Sequence, residues 1–158
     1  MGGGDQLENL KRMAKQLGID SRTVFTGYVS DEELKQAYTR ASVFAMPSTA
    51  ELQSIATMEA MASGLPVVAA DAMALPHLVH HGENGYLFPP GDVQELAARL
   101  AEVLTAGERK RKALQHNSLA FIQPHDIDRT ISTFESLYRG LPVEDPVTDI
   151  EPVASAED

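Results

Sequence analysis

Residues 47–91 read PSTAELQSIATMEAMASGLPVVAADAMALPHLVHHGENGYLFPPG, and their pattern indicates an α/β protein. Residues 67–70 are apolar at every position, which is typical of a strand buried on both faces of a parallel sheet. A helix is predicted before this strand at 54–62, and the turn Gly64-Leu65-Pro66 separates the two. A second short strand follows at 85–88. Strands that alternate with helices predict parallel pairing and right-handed crossovers.

The same alternation continues on both sides of this stretch. Ser30 and Glu33 form a predicted capping box at the start of one helix, and Asp92 with Glu95 mark the start of another. The predicted fold is α/β, a Rossmann-like parallel sheet with flanking helices. Four strands are expected, at 23–29, 43–47, 66–70 and 85–88, and the other helices at 5–17, 30–41, 75–80, 92–104, 107–122 and 126–139.

Composition excludes several classes of protein. The chain of 158 residues contains no cysteine, so it has no disulfide framework, no thiolate metal site and no cysteine nucleophile. No apolar run approaches the roughly 18 residues of a membrane span, and no signal peptide is visible. A cytoplasmic protein is therefore expected.

Charge is unevenly distributed along the chain. The net charge is −10, and the last 19 residues, 140–158, hold six acids and no base. This segment has no periodicity and is predicted to be a disordered acidic tail, separate from a domain at 1–139. Such a surface repels duplex DNA, so no nucleic-acid partner is expected. The one basic run, 109–112, is interpreted as a solvated helix face, and contact with an anionic membrane surface is the alternative.

Two glutamates have a specific spacing in this stretch. Glu51 is followed after seven residues by Glu59, and Glu59 is followed by AMASGLPVVA at 60–69. FTGYV at 25–29 and GENGYL at 82–87 lie upstream and downstream. This combination resembles the C-terminal domain of retaining family-4 glycosyltransferases (group 1, GT-B fold) in order and spacing. The resemblance covers residues 2–104, and it implies a nucleotide-sugar-binding domain.

The spacing of the two glutamates suits a nucleoside diphosphate sugar. Free amides around Gln53 to Ile55, at a helix start, favour an anion such as a diphosphate. A carboxylate at Glu59 can accept two hydrogen bonds from a ribose diol. The resemblance implies these same roles, with amides from Leu52, Gln53, Ser54 and Ile55. It also implies that Glu51 is the catalytic residue, which contacts sugar hydroxyls and the developing charge.

The resemblance implies one further contact and shows one departure. Val29, which follows Gly27-Tyr28, corresponds to the position whose backbone pairs with the nucleobase, so Gly27 and Val29 are also candidate donor-binding residues. Relatives usually have Gly-Phe-Gly-Leu after the first glutamate, where this chain has 52–55 as LQSI. Loss of both glycines changes how closely the backbone can approach a phosphate. A glutamine like Gln53 occurs in some lipid glucosyltransferases and hints at a lipid acceptor.

Metal and cofactor sites are not expected. Asp126-Ile127-Asp128 matches a short metal-binding string, but two aspartates at a helix start are better explained as a cap. His77, His80 and His81 are interpreted as surface or capping residues, because no glutamate occupies the metalloprotease position between them. By resemblance, no catalytic metal is needed.

The resemblance also implies parts that this chain does not contain. Relatives have two earlier strands that carry an Arg/Lys pair, and an N-terminal acceptor domain is the expected partner. The substrate is predicted to be a UDP- or GDP-sugar, and dimerisation through an exposed sheet edge is a further expectation. Two alternatives to retaining transfer remain open: an inactive nucleotide-binding fragment and a GT-B-like nucleotide-sugar epimerase.

Overall fold

A computed structural model describes residues 4–143 of the chain. Most of the predicted acidic tail, from residue 144 onwards, lies outside the described residues. The chain divides into two compact units, one up to Arg40 and one from Ala41. Within the described residues, no helix is long and apolar enough to cross a membrane.

The first unit contains two helices, α1 (Leu7–Gln16) and α2 (Asp31–Arg40), with a short 3-10 turn at Asp20–Arg22. Gly18, with φ of +67°, ends the first helix. The predicted capping box at the start of α2 is confirmed. Ser30 N donates to Glu33 Oε2 over 2.9 Å, and Glu33 N donates to Ser30 Oγ over 3.3 Å.

The strand predicted at 23–29 is wrong. These residues form no strand in the structure, although Thr23 has an extended backbone and exposure alternates along the segment. Residues that favour β structure form a strand only when a neighbouring strand accepts and donates their backbone hydrogen bonds. Among residues 4–143 the sheet has three strands, and this segment pairs with none of them.

The second unit is built on a parallel sheet of β1 (Phe44–Met46), β2 (Val67–Ala70) and β3 (Gly85–Phe88), in that order. Val68 of β2 pairs with Ala45 on one side and with Tyr86 on the other. The α/β class is therefore confirmed, and β2 is buried along its full length, as its apolar run predicts.

Five helices accompany this sheet in the described residues, and two of them begin at the predicted caps. The Asp92 side chain accepts from Glu95 N over 2.9 Å, and Asp126 Oδ1 accepts from the amides of Asp128 and Arg129. Both caps are confirmed. The helices are α3 (Ile55–Ala62), α4 (Leu75–Leu78), α5 (Val93–Thr105), α6 (Glu108–Ile122) and α7 (Ile127–Tyr138).

The core of this unit lies between β2, β3 and the helices packed on them. Its largest buried apolar side chains come from α3, β2, α4, β3, α5 and α6. At roughly 25 cal/mol per Å² of apolar surface, this burial is the main favourable contribution to stability. The core residues are Met61, Val67, Val68, Ala69, Ala70, Leu75, Leu78, Val79, Tyr86, Phe88, Val103 and Leu114.

Two glycines allow the chain to connect these elements. Gly64, with φ of +74°, ends α3: its N–H donates to Met61 O, and Leu65 N donates to Ala60 O, which is a Schellman motif. Gly85 begins β3 where the backbones of two strands approach closely. A Cβ at this position would lie 1.8 Å from Val67 O, so only glycine fits.

Polar side chains close the amino ends of the strands. Asn84, Asn117 and Ser118 are fully buried, and we call this group, with its backbone partners, the amino-edge network. Asn84 donates to Leu78 O over 3.0 Å, and Ser118 Oγ donates to Leu65 O over 2.7 Å. Within residues 4–143, no buried side-chain nitrogen or oxygen lacks a hydrogen-bond partner. This edge is thus packed and fully satisfied.

Candidate functional site

Two loops leave the carboxyl ends of neighbouring parallel strands. The first, 47–54, follows β1, and the second, 71–74, follows β2. Ala74 N donates to Glu51 O over 3.1 Å, so the two loops are joined directly beside Glu51. Ligands of open α/β sheets bind in the crevice outside the carboxyl ends of the strands. We refer to 47–54 and 71–74 as the carboxyl-edge loops.

Both carboxyl-edge loops contain a residue in an unusual backbone conformation. Ser54 has φ of +50° and Met73 has φ of +53°, and among the described residues these are the two non-glycine positions with positive φ. A side chain in this region is sterically unfavourable, and such positions cluster at functional sites. Ser54 thus adopts a backbone conformation that favours glycine, at a position where the resemblance implies one.

The first loop presents backbone N–H groups. Within residues 4–143, the amides of Leu52, Gln53, Ser54 and Ile55 donate to no acceptor. Ile55 is the first residue of α3, so the positive end of the helix dipole lies at the same place. The first turn of α3 contains no acidic side chain, and its last turn contains no basic one. The four predicted residues are thus brought together in an arrangement suited to an anion.

The two glutamates belong to the same segment as these amides. Glu51 is half-buried in the middle of the loop, and its carbonyl is the acceptor for Ala74 N. Glu59 lies on the exposed part of α3, four residues after Ile55, and residues at this spacing share one helix face. The structure therefore places both predicted carboxylates on the segment that carries the unpaired amides. Their roles remain predictions.

The other two candidate residues lie in the first unit. Gly27 and Val29 are half-buried in the irregular segment 23–29, and Gly27 has φ of +63°. The positive φ explains why a glycine is needed there. Contact of the Val29 backbone with a nucleobase remains a prediction.

Two of the three candidate histidines, His80 and His81, make local packing or hydrogen-bond contacts. The His80 ring packs on Phe121 with 4.4 Å between centroids. His81 Nδ1 accepts from Leu87 N over 3.2 Å, and the ring contacts Tyr86 edge-on. No group of three acidic or histidine side chains able to hold a metal ion occurs between residues 4 and 143.

A charged cluster surrounds the Tyr86 ring. Glu102 pairs with Lys110 at 3.0 Å and with Arg99 at 2.8 Å, and both cations lie within 6 Å of the ring centroid. Burial opposes ionisation of Glu102, but hydrogen bonds from Tyr86, Lys110 and Arg99 outweigh it and lower the Glu102 pKa to about 2. This cluster joins α5, α6 and β3, and the sequence analysis did not identify it.

Two residues that shape the carboxyl-edge loops were also not predicted from the sequence. Thr57 is fully buried, and its hydroxyl lies 2.7 Å from Ser54 Oγ. Its position three residues after Ser54 at a helix start is a signal that was available. Met73 gave no signal, because nothing in the sequence marks a methionine for positive φ.

Comparison with known proteins identifies the family of this chain. Residues 1–120 match the family described as glycosyl transferases group 1. The chain is 39% identical over 107 residues to sulfoquinovosyl transferase SQD2 of Arabidopsis thaliana, covering 66% of the chain and 20% of that protein. It is 34% identical over 116 residues to the GDP-mannose-dependent α-(1-6)-phosphatidylinositol monomannoside mannosyltransferase of Mycobacterium tuberculosis, covering 69% of the chain and 30% of that protein.

Solved structures agree with this assignment. Sucrose-phosphate synthase from Thermosynechococcus elongatus matches with a TM-score of 0.79 and 27% identity, over 88% of this chain and 36% of that one. Anabaena Alr3699/HepE in complex with UDP-glucose matches with a TM-score of 0.78 and 31% identity, over 87% and 38%. The chain belongs to the group 1 glycosyl transferase family and has the α/β fold of its GT-B members. It spans less than a third of the length of the two sequence relatives.

Proposed function

We propose that this chain forms the donor-binding part of a retaining hexosyltransferase that uses a nucleoside diphosphate sugar. One observation carries the proposal: the segment 51–59 combines four unpaired amides at a helix start with the two glutamates of the family motif. The match to Alr3699/HepE, solved with UDP-glucose, supports a nucleotide-sugar donor.

The amides of Leu52 to Ile55 would bind the donor diphosphate. A diphosphate at a helix start accepts hydrogen bonds from N–H groups and lies at the positive end of the dipole. When the glycosidic bond breaks, negative charge grows on the leaving diphosphate. Donors that already point at this charge stabilise the transition state without reorganisation. In this mechanism the backbone stabilises the leaving group.

The two glutamates would bind opposite ends of the donor. Glu59, exposed on α3, accepts two hydrogen bonds from the ribose diol. Glu51 contacts sugar hydroxyls and the positive charge that develops at the reacting carbon. Transfer with retention then depends chiefly on the position of donor and acceptor.

An N-terminal acceptor domain is part of the same proposal. Helix α7 exposes an apolar stripe, which is at least half exposed at each position and follows helical spacing. Large exposed apolar patches mark interaction surfaces. The stripe consists of Ile127, Ile131, Phe134 and Leu137. The mannosyltransferase relative acts on a phosphatidylinositol monomannoside, which with Gln53 favours a lipid acceptor.

Calorimetric titration of the chain with UDP, GDP and their sugar conjugates tests the donor site. We expect saturable binding of one nucleotide class, weakened by ~1–3 kcal/mol in Glu59→Ala through loss of the charge-assisted diol contact. Glu108→Ala, another exposed helix carboxylate, is the control and leaves affinity unchanged. Equal affinity in Glu59→Ala would remove Glu59 from the ribose site. No binding of any nucleotide would contradict a preformed donor site.

The epimerase alternative is not favoured, because the matched family and the relatives named above are glycosyltransferases. Product analysis separates the two reactions. Transfer releases free nucleoside diphosphate only when an acceptor is present, whereas epimerisation yields a second nucleotide sugar without an acceptor.

A further inference from the structure

Ser54 is held in its unusual conformation by several hydrogen bonds. It lies immediately before α3 with φ of +50° and ψ of +64°, and only 5% of its surface is exposed. Its carbonyl accepts from Thr57 N over 3.0 Å and from Met58 N over 3.1 Å. A left-handed conformation is unfavourable for a residue with a Cβ, so the surroundings must stabilise it.

The side chains supply the remaining contact. Ser54 Oγ lies 2.7 Å from Thr57 Oγ1, and Thr57 is completely buried. A hydrogen bond between two buried hydroxyls ties the residue before the helix to the first turn of the helix. Met73, the other non-glycine residue with positive φ, is 56% exposed and has no hydroxyl to form such a pair. The hydroxyl pair is therefore specific to the first carboxyl-edge loop.

We propose that Thr57 is a positioning residue for the donor diphosphate. Its hydroxyl holds Ser54 in the left-handed conformation that glycine would adopt freely, and this conformation sets the direction of the amides of Ser54 and Ile55. The inference rests on the proposed donor site at these amides. Thr57 itself, being fully buried, does not touch the donor.

The physical reason is a rotation of the peptide groups. If Ser54 relaxed to a right-handed or extended backbone, the peptide planes on both of its sides would turn, and with them the N–H groups of Ser54 and Ile55. Donors that must be reoriented on binding contribute less to affinity than donors already aligned. A glycine at position 54 needs no hydroxyl partner, because positive φ carries no steric penalty for it.

A double-mutant cycle on the full chain tests this role, with the dissociation constant for UDP and the thermal midpoint as readouts. Thr57→Val keeps the side-chain shape and removes the hydroxyl. We expect it to raise the dissociation constant about tenfold and to lower the midpoint by roughly 3–8 °C. In the Ser54→Gly background the same change should raise the dissociation constant less than about twofold.

Two control variants separate positioning from packing. Thr57→Ser keeps the hydroxyl and should bind UDP within about twofold of the original chain. Met73→Gly removes the other positive-φ side chain and should leave the effect of Thr57→Val unchanged, because that residue has no part in the hydroxyl pair.

The outcomes distinguish this inference from the proposed function. One outcome is that the original chain binds UDP while Thr57→Val raises the dissociation constant by the same factor with and without Ser54→Gly. In that case the positioning role is wrong, and the proposed donor site is not contradicted. A lower thermal midpoint with unchanged UDP affinity also overturns the role, because Thr57 then serves only packing. If the original chain binds neither UDP nor GDP, both the donor site and the positioning role are contradicted; if it binds GDP alone, the same cycle is measured with GDP.

Discussion

The two ends of the parallel sheet differ in how their polar groups are used. At the amino ends of the strands, Asn84, Asn117 and Ser118 are fully buried and hydrogen-bonded to backbone groups of neighbouring segments. At the carboxyl ends, two non-glycine residues have positive φ, and four amides at the junction of the first loop with α3 donate to no described acceptor. The polar side chains at one end are hydrogen-bonded within the protein, whereas the other end contains backbone N–H groups without a described acceptor.

The amino edge of the sheet therefore serves stability, whereas the carboxyl-edge loops are proposed to bind the nucleotide. Buried polar groups with all partners fix one arrangement of the chain, whereas unpaired donors at a surface are available to a ligand. Substitutions at the amino edge should therefore lower the free energy of unfolding and leave nucleotide affinity unchanged. Substitutions of Glu59 or Thr57 should change nucleotide affinity.

The largest effect is expected at Gly85. Gly85→Ala places a Cβ 1.8 Å from Val67 O, so β2 and β3 must separate. We expect a loss of about 3 kcal/mol or more in the free energy of unfolding, or failure to fold. Urea denaturation followed by circular dichroism measures it.

Gly107→Ala is the matched control for that substitution. A Cβ there meets nothing within 4 Å, and φ is −59°. Its effect should stay below about 1 kcal/mol, since only a helix cap changes. Equal losses for the two glycines would show that the close approach of β2 and β3 does not limit stability.

The next largest effect is expected at Asn84. Asn84→Ala removes the hydrogen bonds to His80 N and Leu78 O from a fully buried site. We expect a loss of ~2–4 kcal/mol in unfolding free energy, because backbone groups are left unsatisfied. Asn9→Ala, at an exposed helix position, is the control. If Asn84→Ala weakened UDP binding while the protein stayed folded, the separation of the two edges would be wrong.

A smaller, pH-dependent effect is expected at Glu102. Its pKa is lowered from 4.5 to about 2 in the folded protein, so its contribution is present above pH 4.5 and is lost as pH falls towards 2. Glu102→Gln should reduce stability at pH 7 by roughly 1–2 kcal/mol after allowance for solvent screening, with little effect near pH 2. Urea denaturation of both proteins at pH 7 and near pH 2 measures this difference in the free energy of unfolding. Glu108→Gln, in the exposed pair with Lys112, is the control and should change stability at pH 7 by less than about 0.5 kcal/mol.

Local signals in the sequence predicted much of this structure. The capping box at Ser30, the caps at Asp92 and Asp126 and the apolar run at 67–70 are confirmed, because each depends on residues within a few positions of one another. The strand predicted at 23–29 is wrong for the converse reason. A strand needs a partner that is distant in sequence, and β propensity alone does not supply one.

The sequence by itself determined the α/β class, the family and the two glutamates with their spacing, since these depend on the order of residues along the chain. Only the tertiary structure decided that Ala74 joins the Glu51 loop, that Ser54 has positive φ and that the Thr57 hydroxyl lies against its side chain. It alone also revealed the burial of Asn84 at the opposite edge. The physical reason is that backbone conformation at a loop is set by hydrogen bonds and packing from other segments, which no local pattern of residues records.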